Sequence, residues 1–144
     1  MNQENHCLFC RVVTGDEQAY VVYNDMRAIA FLDRYPIVPG HTLVVTREHY
    51  RDFLTTPLDD LAHLSNITKK VATAVQAAMK ADGVRIFTNV GKSAGQVIFH
   101  VHIHVIPAWE SEPAFNSFRK RMEITHDDAV NISGAIKEEI LKLG

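Results

Sequence analysis

Three histidines at strict two-residue spacing, His100, His102 and His104, stand among bulky apolar residues in the stretch from Phe99 to Pro107. Side chains of a strand alternate sides, so the three imidazoles would share one face and Phe99, Val101, Ile103 and Val105 the other. The β-branched residues favour the extended form, and Pro107 is expected to end it. Same-face neighbours lie roughly 7 Å apart, close enough to converge on one phosphate-sized or metal-sized object. A single histidine on a sheet is usually a satisfied structural residue. Packing gives no reason to choose imidazole at every position of one face, so the row reads as functional.

The second chemical signal is Cys7 and Cys10, in a Cys-x-x-Cys spacing. A redox pair of this spacing would follow a strand and open a helix inside a βαβ pattern, whereas this pair stands near the start of the chain. Metal is the better reading, and tetrahedral zinc would need two further ligands, with histidine the natural supplier. His49, at the end of a strand candidate, is the next available one.

The elements that must position these groups follow from periodicity and punctuation. Cys7 to Val13 is short and apolar, and a turn follows at Thr14 to Asp16. Ala19–Tyr23 and Ala28–Leu32 read as a hairpin through Asn24 and Asp25, and Thr42–Thr46 as a further strand. Between them, residues 33 to 41 form a loop with two prolines and a glycine, carrying Asp33, Arg34 and His41. One long helix is expected over Pro57–Ala81, with Leu58, Leu61, Leu64 or Ile67, Val71, Val75 and Ala78 on one stripe, Thr55 or Thr56 as cap and Gly83 as stop. Val84–Asn89 reads as a strand, and the small-residue loop to Gln96 would deliver Asn89, Ser93 and Gln96 beside the imidazoles. After Pro107 comes a polar stretch with Trp109, Phe115 and Phe118, then a closing helix over Asp127–Leu143. Strands, helix, strands, helix gives an α+β fold: about five antiparallel strands with a long central helix and a C-terminal helix. Its open edges make a homodimer an expectation.

Composition bounds the partners. With 144 residues, 47% apolar and 22% charged, the chain reads as one domain over residues 1–144. A formal net charge of −2 gives no electrostatic reason to expect nucleic acid or an anionic membrane as partner. The polar first residues lack the pattern of a signal peptide, and a cytoplasmic protein is the expectation.

The row His100-Val-His-Ile-His104-Val-Ile resembles the signature His-φ-His-φ-His-φ-φ, φ being apolar, of the histidine triad (HIT) superfamily of nucleotide hydrolases and transferases. The similarity runs from the Cys7–Cys10 pair through Phe31-Leu-Asp33, Pro39-Gly-His41 and Gly95-Gln96 to Pro107, and is greatest to the bacterial Hint-like branch, whose members are usually homodimers. The resemblance implies a catalytic set of His41, His100, His102 and His104. His102 would attack the α-phosphorus of a purine nucleotide to form a nucleotidyl-histidine, and water would release a product such as AMP. His104, Asn89, Gln96 and the amides near Gly95 and Val97 would hold the phosphate oxygens. Asp33 would accept from the ribose hydroxyls, with Phe9, Val12, Phe31 and Arg34 bordering the base pocket. It also implies a structural zinc on Cys7, Cys10, His49 and His100, with no catalytic metal. Phosphoramidates and dinucleoside polyphosphates are the implied substrates. One departure stands out: where Hint-like enzymes often carry a serine, this chain has Val97, which cannot donate. The alternatives are a nucleotide-binding or protein-interaction module with incidental catalysis, and a hydrolase with catalytic zinc on the triad itself.

Overall fold

The computed structural model describes residues 6–113 and 121–143. Phe115 and Phe118 lie outside the described residues. Five antiparallel strands, β1 (Val21–Asn24), β2 (Ala28–Leu32), β3 (Thr42–Thr46), β4 (Gly83–Phe87) and β5 (His102–Ala108), form one sheet in the order β1-β2-β3-β5-β4. Three α-helices among the described residues accompany it: α1 (Leu8–Thr14), α2 (Leu58–Ala78) and α3 (His126–Lys142). The expected α+β fold is present, with α1 as an addition. Seven residues are too short a window for helical periodicity to declare itself.

Alternation along the strands sorts the two faces. Ala28, Ala30, Leu32, Val44, Ile103 and Val105 face α2 and α3, where Leu64, Ile67, Val71, Val75, Ala129 and Ile136 complete the larger core cluster. Each fully buried Leu, Ile or Val side chain there contributes about 1.5–3 kcal/mol. The opposite residues, Ile29, Phe31, Leu43 and Val45, pack with Phe9 and Val12 of α1. His102 is in register with Val45 and His104 with Leu43, so both imidazoles belong to the α1 face. The histidine row is thus set where the smaller core opens.

Local chemistry fixes the frame. The Asp25 carboxylate closes the β1–β2 turn by accepting from the Arg27 and Ala28 amides, each at 2.7 Å. Its other oxygen accepts from Tyr23 Oη at 2.7 Å and lies 2.8 Å from His63 Nε2 on α2. Burial pushes this carboxyl up, but the bonds from Tyr23, Arg27, Ala28 and His63 outweigh it and bring it down to about 2. Gly40, at φ +96°, precedes His41 where a Cβ would meet Met79 Cγ at 2.7 Å, so only glycine lets the loop lie this close to α2.

Several expected boundaries move. Pro57 is the N-cap of α2 rather than its first residue, and neither Thr55 nor Thr56 caps it: both serve a turn around Asp52, whose carboxylate accepts from the Thr55 amide. The helix stops at Ala78, and Gly83 opens β4 instead of ending the helix. Leu58 is 83% exposed and leaves the apolar stripe. The histidine strand begins at His102, later than Phe99, and Pro107 does not end it. The Ala108 carbonyl accepts from Asp82, so Pro107 faces the other edge, beyond Thr42, the last β3 residue in the pairing, where no amide is needed.

Candidate functional site

The face of β5 that carries the imidazoles has two ends with different chemistry, and backbone groups decide which is which. His102 Nδ1 lies 2.7 Å from the carbonyl oxygen of His100. Only a protonated Nδ1 satisfies a carbonyl, so Nε2 keeps its lone pair. Phe9 packs its ring edge-on against this imidazole, with centroids 5.0 Å apart, and Thr88 Oγ1 donates to the His102 carbonyl at 2.7 Å. The next imidazole is set from further away. The Ile37 amide donates to His41 Nδ1 at 3.1 Å, which requires that nitrogen to be bare and puts the proton on Nε2. His41 Nε2 lies 3.0 Å from His104 Nδ1 and donates to it, so His104 carries its own proton on Nε2. The Phe87 ring lies flat on His104, 4.5 Å between centroids and 9° between planes, and the Arg85 guanidinium covers the other face of Phe87 at 4.5 Å.

The result is a neutral nucleophile beside a neutral N–H donor, with ring centroids 4.9 Å apart. Burial lowers His102, and lowers His41 and His104 to about 3, so the imidazoles are uncharged near neutral pH.

At the other end, His100 Nε2 donates to the Thr46 carbonyl at 2.7 Å, leaving Nδ1 bare. That atom lies 3.3 Å from Cys7 Sγ and 3.4 Å from Cys10 Sγ, and His49 Nδ1 lies 3.3 Å from Cys10 Sγ. All four donor atoms fall within 4.8 Å of one another. Ligands at about 2.3 Å (sulfur) and 2.0 Å (nitrogen) around a tetrahedral zinc stand about 3.6 Å apart, so the donor set and its spacing fit that ion. Cys7 is also the N-cap of α1 and accepts from the Cys10 amide at 3.4 Å, which places both sulfurs on one turn.

Between α1, the loop after β2 and the small-residue loop before β5 lies a cleft of about 490 Å³. Of the residues expected at a nucleotide, Phe9, Val12, Phe31, Asp33, Arg34, Asn89, Gly95 and Val97 line it, with His102 and His104. Gly95, at φ +104°, lies so close to Asn89 that a Cβ would sit 3.1 Å from its Nδ2. Gln96 stands apart. Its side chain is buried, accepting from the Gly91 amide and donating to the Arg51 and Ile98 carbonyls, so it braces the loop. Ser93 also lies off the cleft, and His41 and His100 are fully buried behind it.

Sequence reasoning missed Glu17, Tyr20, Tyr35, Phe87 and Arg121, which also line the cleft. Phe87 had a signal, since it precedes Asn89 by two residues and alternation gives them one face. Arg121 had none. Its Nη1 donates to Asp33 Oδ2 at 2.9 Å across 88 positions of chain.

The family described as HIT domain matches residues 14–111. A hypothetical histidine triad nucleotide-binding protein from Sulfolobus tokodaii is 42% identical, with a TM-score of 0.88 over 95% of this chain and 93% of that one. A zinc-bound histidine triad family protein from Mycobacterium smegmatis is 31% identical, with a TM-score of 0.85 over 97% and 96%. Adenylylsulfatase HINT3 of Arabidopsis thaliana is 29% identical over 142 residues, covering 97% of this chain and 72% of that protein. The match takes in all five strands and α2, and with it the chain belongs to the HIT family, which includes nucleotide-binding proteins and hydrolases.

Proposed function

We propose that this protein is a nucleotidyl hydrolase or transferase acting at the α-phosphate of purine nucleoside phosphoramidates or dinucleoside polyphosphates through a covalent intermediate on His102. The observation that carries this reading is the 2.7 Å contact from His102 Nδ1 to the His100 carbonyl, which leaves the Nε2 lone pair on a residue lining the cleft. In the first step that lone pair forms an N–P bond while the bond from phosphorus to the leaving group breaks, its electron pair departing with the leaving group. Water then attacks phosphorus, its proton is released to solvent, and the N–P electrons return to Nε2. The His104 Nε2–H, with Asn89 and the backbone near Gly95, stabilises the charge gathered on the non-bridging oxygens. Asp33 accepts from the ribose, and Phe9, Val12 and Phe31 enclose the base.

The four-donor cluster of Cys7, Cys10, His49 and His100 suits a structural zinc that ties α1 to the residues preceding β5. A homodimer pairing through β4 is supported by the position of that strand at the sheet edge and by Ile86, half exposed upon it. No helix among the described residues is long and apolar enough to cross a membrane.

Intact-protein mass after brief, acid-free quenching with an adenosine phosphoramidate or a dinucleoside polyphosphate tests the reading. Wild type gains one nucleoside monophosphate and turns over, and His102→Gly does neither. Equal turnover by the variant would sink the role of His102. Absence of both adduct and turnover across the substrates would leave a binding module.

A further inference from the structure

Among the described residues that line the cleft, two carry a permanent positive charge, and they are differently placed. Arg34 is held at the base end by Glu17 at 3.3 Å and by the Gln18 carbonyl at 3.2 Å. Arg121 lies at the imidazole end. It donates from one nitrogen only, Nη1, to Asp33 Oδ2 at 2.9 Å and to the Tyr35 carbonyl at 2.8 Å. The next residue is fastened too, since the Met122 amide donates to the Pro36 carbonyl at 2.9 Å. Asp33 Oδ2 is in turn 3.5 Å from His41 Nε2, the donor to His104. The guanidinium is therefore anchored one carboxylate oxygen away from the imidazole relay. Its Nη2 and Nε protons have no partner among the described residues, so it can serve an anion without giving up its anchor.

We infer that Arg121 is a specificity-determining residue, favouring substrates whose leaving group departs as an oxyanion over substrates that release an amine. This rests on the nucleotidyl-transfer reading above. When the P–O bond to a sulfate or polyphosphate breaks, the electron pair stays on an oxygen that leaves unprotonated, and a fixed guanidinium neutralises that charge as it forms. When a P–N bond breaks, the departing nitrogen needs a proton. A guanidinium keeps its protons in proteins and cannot supply one. Of the other groups at this end, His102, His104 and Asn89 offer neutral contacts and the Asp33 carboxylate opposes an anion, so Arg121 is the one that can favour an oxyanion by charge. Val97, four-fifths exposed on the small-residue loop that also lines the cleft, has an aliphatic side chain and no proton to give.

The test compares kcat and KM for wild type, Arg121→Gln and Arg121→Lys on two substrates with the same nucleoside and α-phosphate, adenosine 5′-phosphosulfate and adenosine 5′-phosphoramidate. The expected result is that Arg121→Gln lowers the phosphosulfate-to-phosphoramidate ratio of kcat/KM by about tenfold or more, through kcat, as loss of a charge-assisted contact made in the transition state requires. Arg121→Lys, which keeps the charge, restores part of that ratio. An equal fall on both substrates would make Arg121 a structural clamp on Asp33 and overturn the inference, as would an unchanged ratio. Wild type inert to both would sink the nucleotidyl-transfer reading and this inference with it. An active wild type whose ratio ignores the substitution sinks this inference alone.

Discussion

Among the described residues, two clusters have atoms spaced closely enough to share a metal ion: Cys7, Cys10, His49 and His100 at one end of the histidine row, and Asp33, His41 and His104 at the other. Distance does not separate them. The backbone does, because the imidazole that anchors each cluster meets a different main-chain group. His100 faces the Thr46 carbonyl, which takes the Nε2 proton and leaves Nδ1 free to ligate. His41 faces the Ile37 amide, which occupies Nδ1 and forces the proton onto Nε2, the very atom that would have to bind the metal. Moving that proton to Nδ1 would set two N–H groups head to head. One end is thus prepared for an ion and the other for handing a hydrogen bond to His104.

The largest effect expected from this contrast is on metal content and stability. Cys10→Ser should lose the ion while Asp33→Asn keeps it, as read by elemental analysis of protein purified without chelator. A metal present at about a thousand times its Kd stabilises by about 4 kcal/mol, so removing it by substitution or chelation should lower the unfolding free energy by that order. Metal retained in Cys10→Ser and lost in Asp33→Asn would reverse the assignment of the two clusters.

How far these clusters were legible in the sequence depends on how local their signals are. The period of two in β5 was visible, and so were β2 and β3, whose bounds match the expected Ala28–Leu32 and Thr42–Thr46, because short, largely apolar runs between turn residues leave little ambiguity. The start of β5 was not, since the row continues to His100 while the ladder begins only at His102. Helix ends were misread at Pro57 and Gly83, where Thr55 and Thr56 found partners at Asp52 and a short connection intervened before β4. Gln96 shows a different limit. A polar residue in a glycine loop reads equally as a ligand contact or as a brace, and only its three backbone partners separate the two. Ile37 and Thr46, which decide the tautomers, act through main-chain atoms that every residue possesses.

The second effect concerns the relay. His41→Ala removes the donor to His104 and frees its Nδ1, so the proton can sit on either ring nitrogen. A hydrogen bond to a charged group contributes about 1.5–3 kcal/mol, which translates to a fall in turnover of about ten- to a hundredfold. Metal content should stay at the wild-type level. Turnover unchanged in His41→Ala would show that His104 does not need the relay.

The pH dependence of stability comes next in size. His41 and His104 are held at about 3, below the 6.5 of an unfolded histidine. Between those values the unfolded chain binds more protons, so the stability of the neutral, buried pair is complete above pH 6.5 and is lost as pH falls towards 3. Each group contributes a slope of up to about 1.4 kcal/mol per pH unit in that window. Asp25, lowered to about 2 from 3.8, acts only in the lower window between those two values. Urea unfolding of His41→Phe across pH 7 to 4 should show a shallower loss than wild type. An identical loss would mean that the relay end is not held neutral.

The smallest effect sharpens the comparison on its catalytic side. Phe87 touches His104 and none of the four metal donors, and its flat stack fixes the plane in which the His104 Nε2–H points. Phe87→Leu retains most of the apolar bulk and removes the stack, a loss of about 0.5–1.5 kcal/mol. Stability should fall by that much and kcat by a few-fold, while the metal stays bound. The Arg85 guanidinium, which covers the far face of Phe87, supplies a control. Arg85→Lys keeps a cation over the ring and should change neither quantity by more than about half as much as Phe87→Leu. If Phe87→Leu lowers stability and leaves kcat alone, the stack is packing only, and the direction of the His104 donor is set wholly by the hydrogen bond from His41.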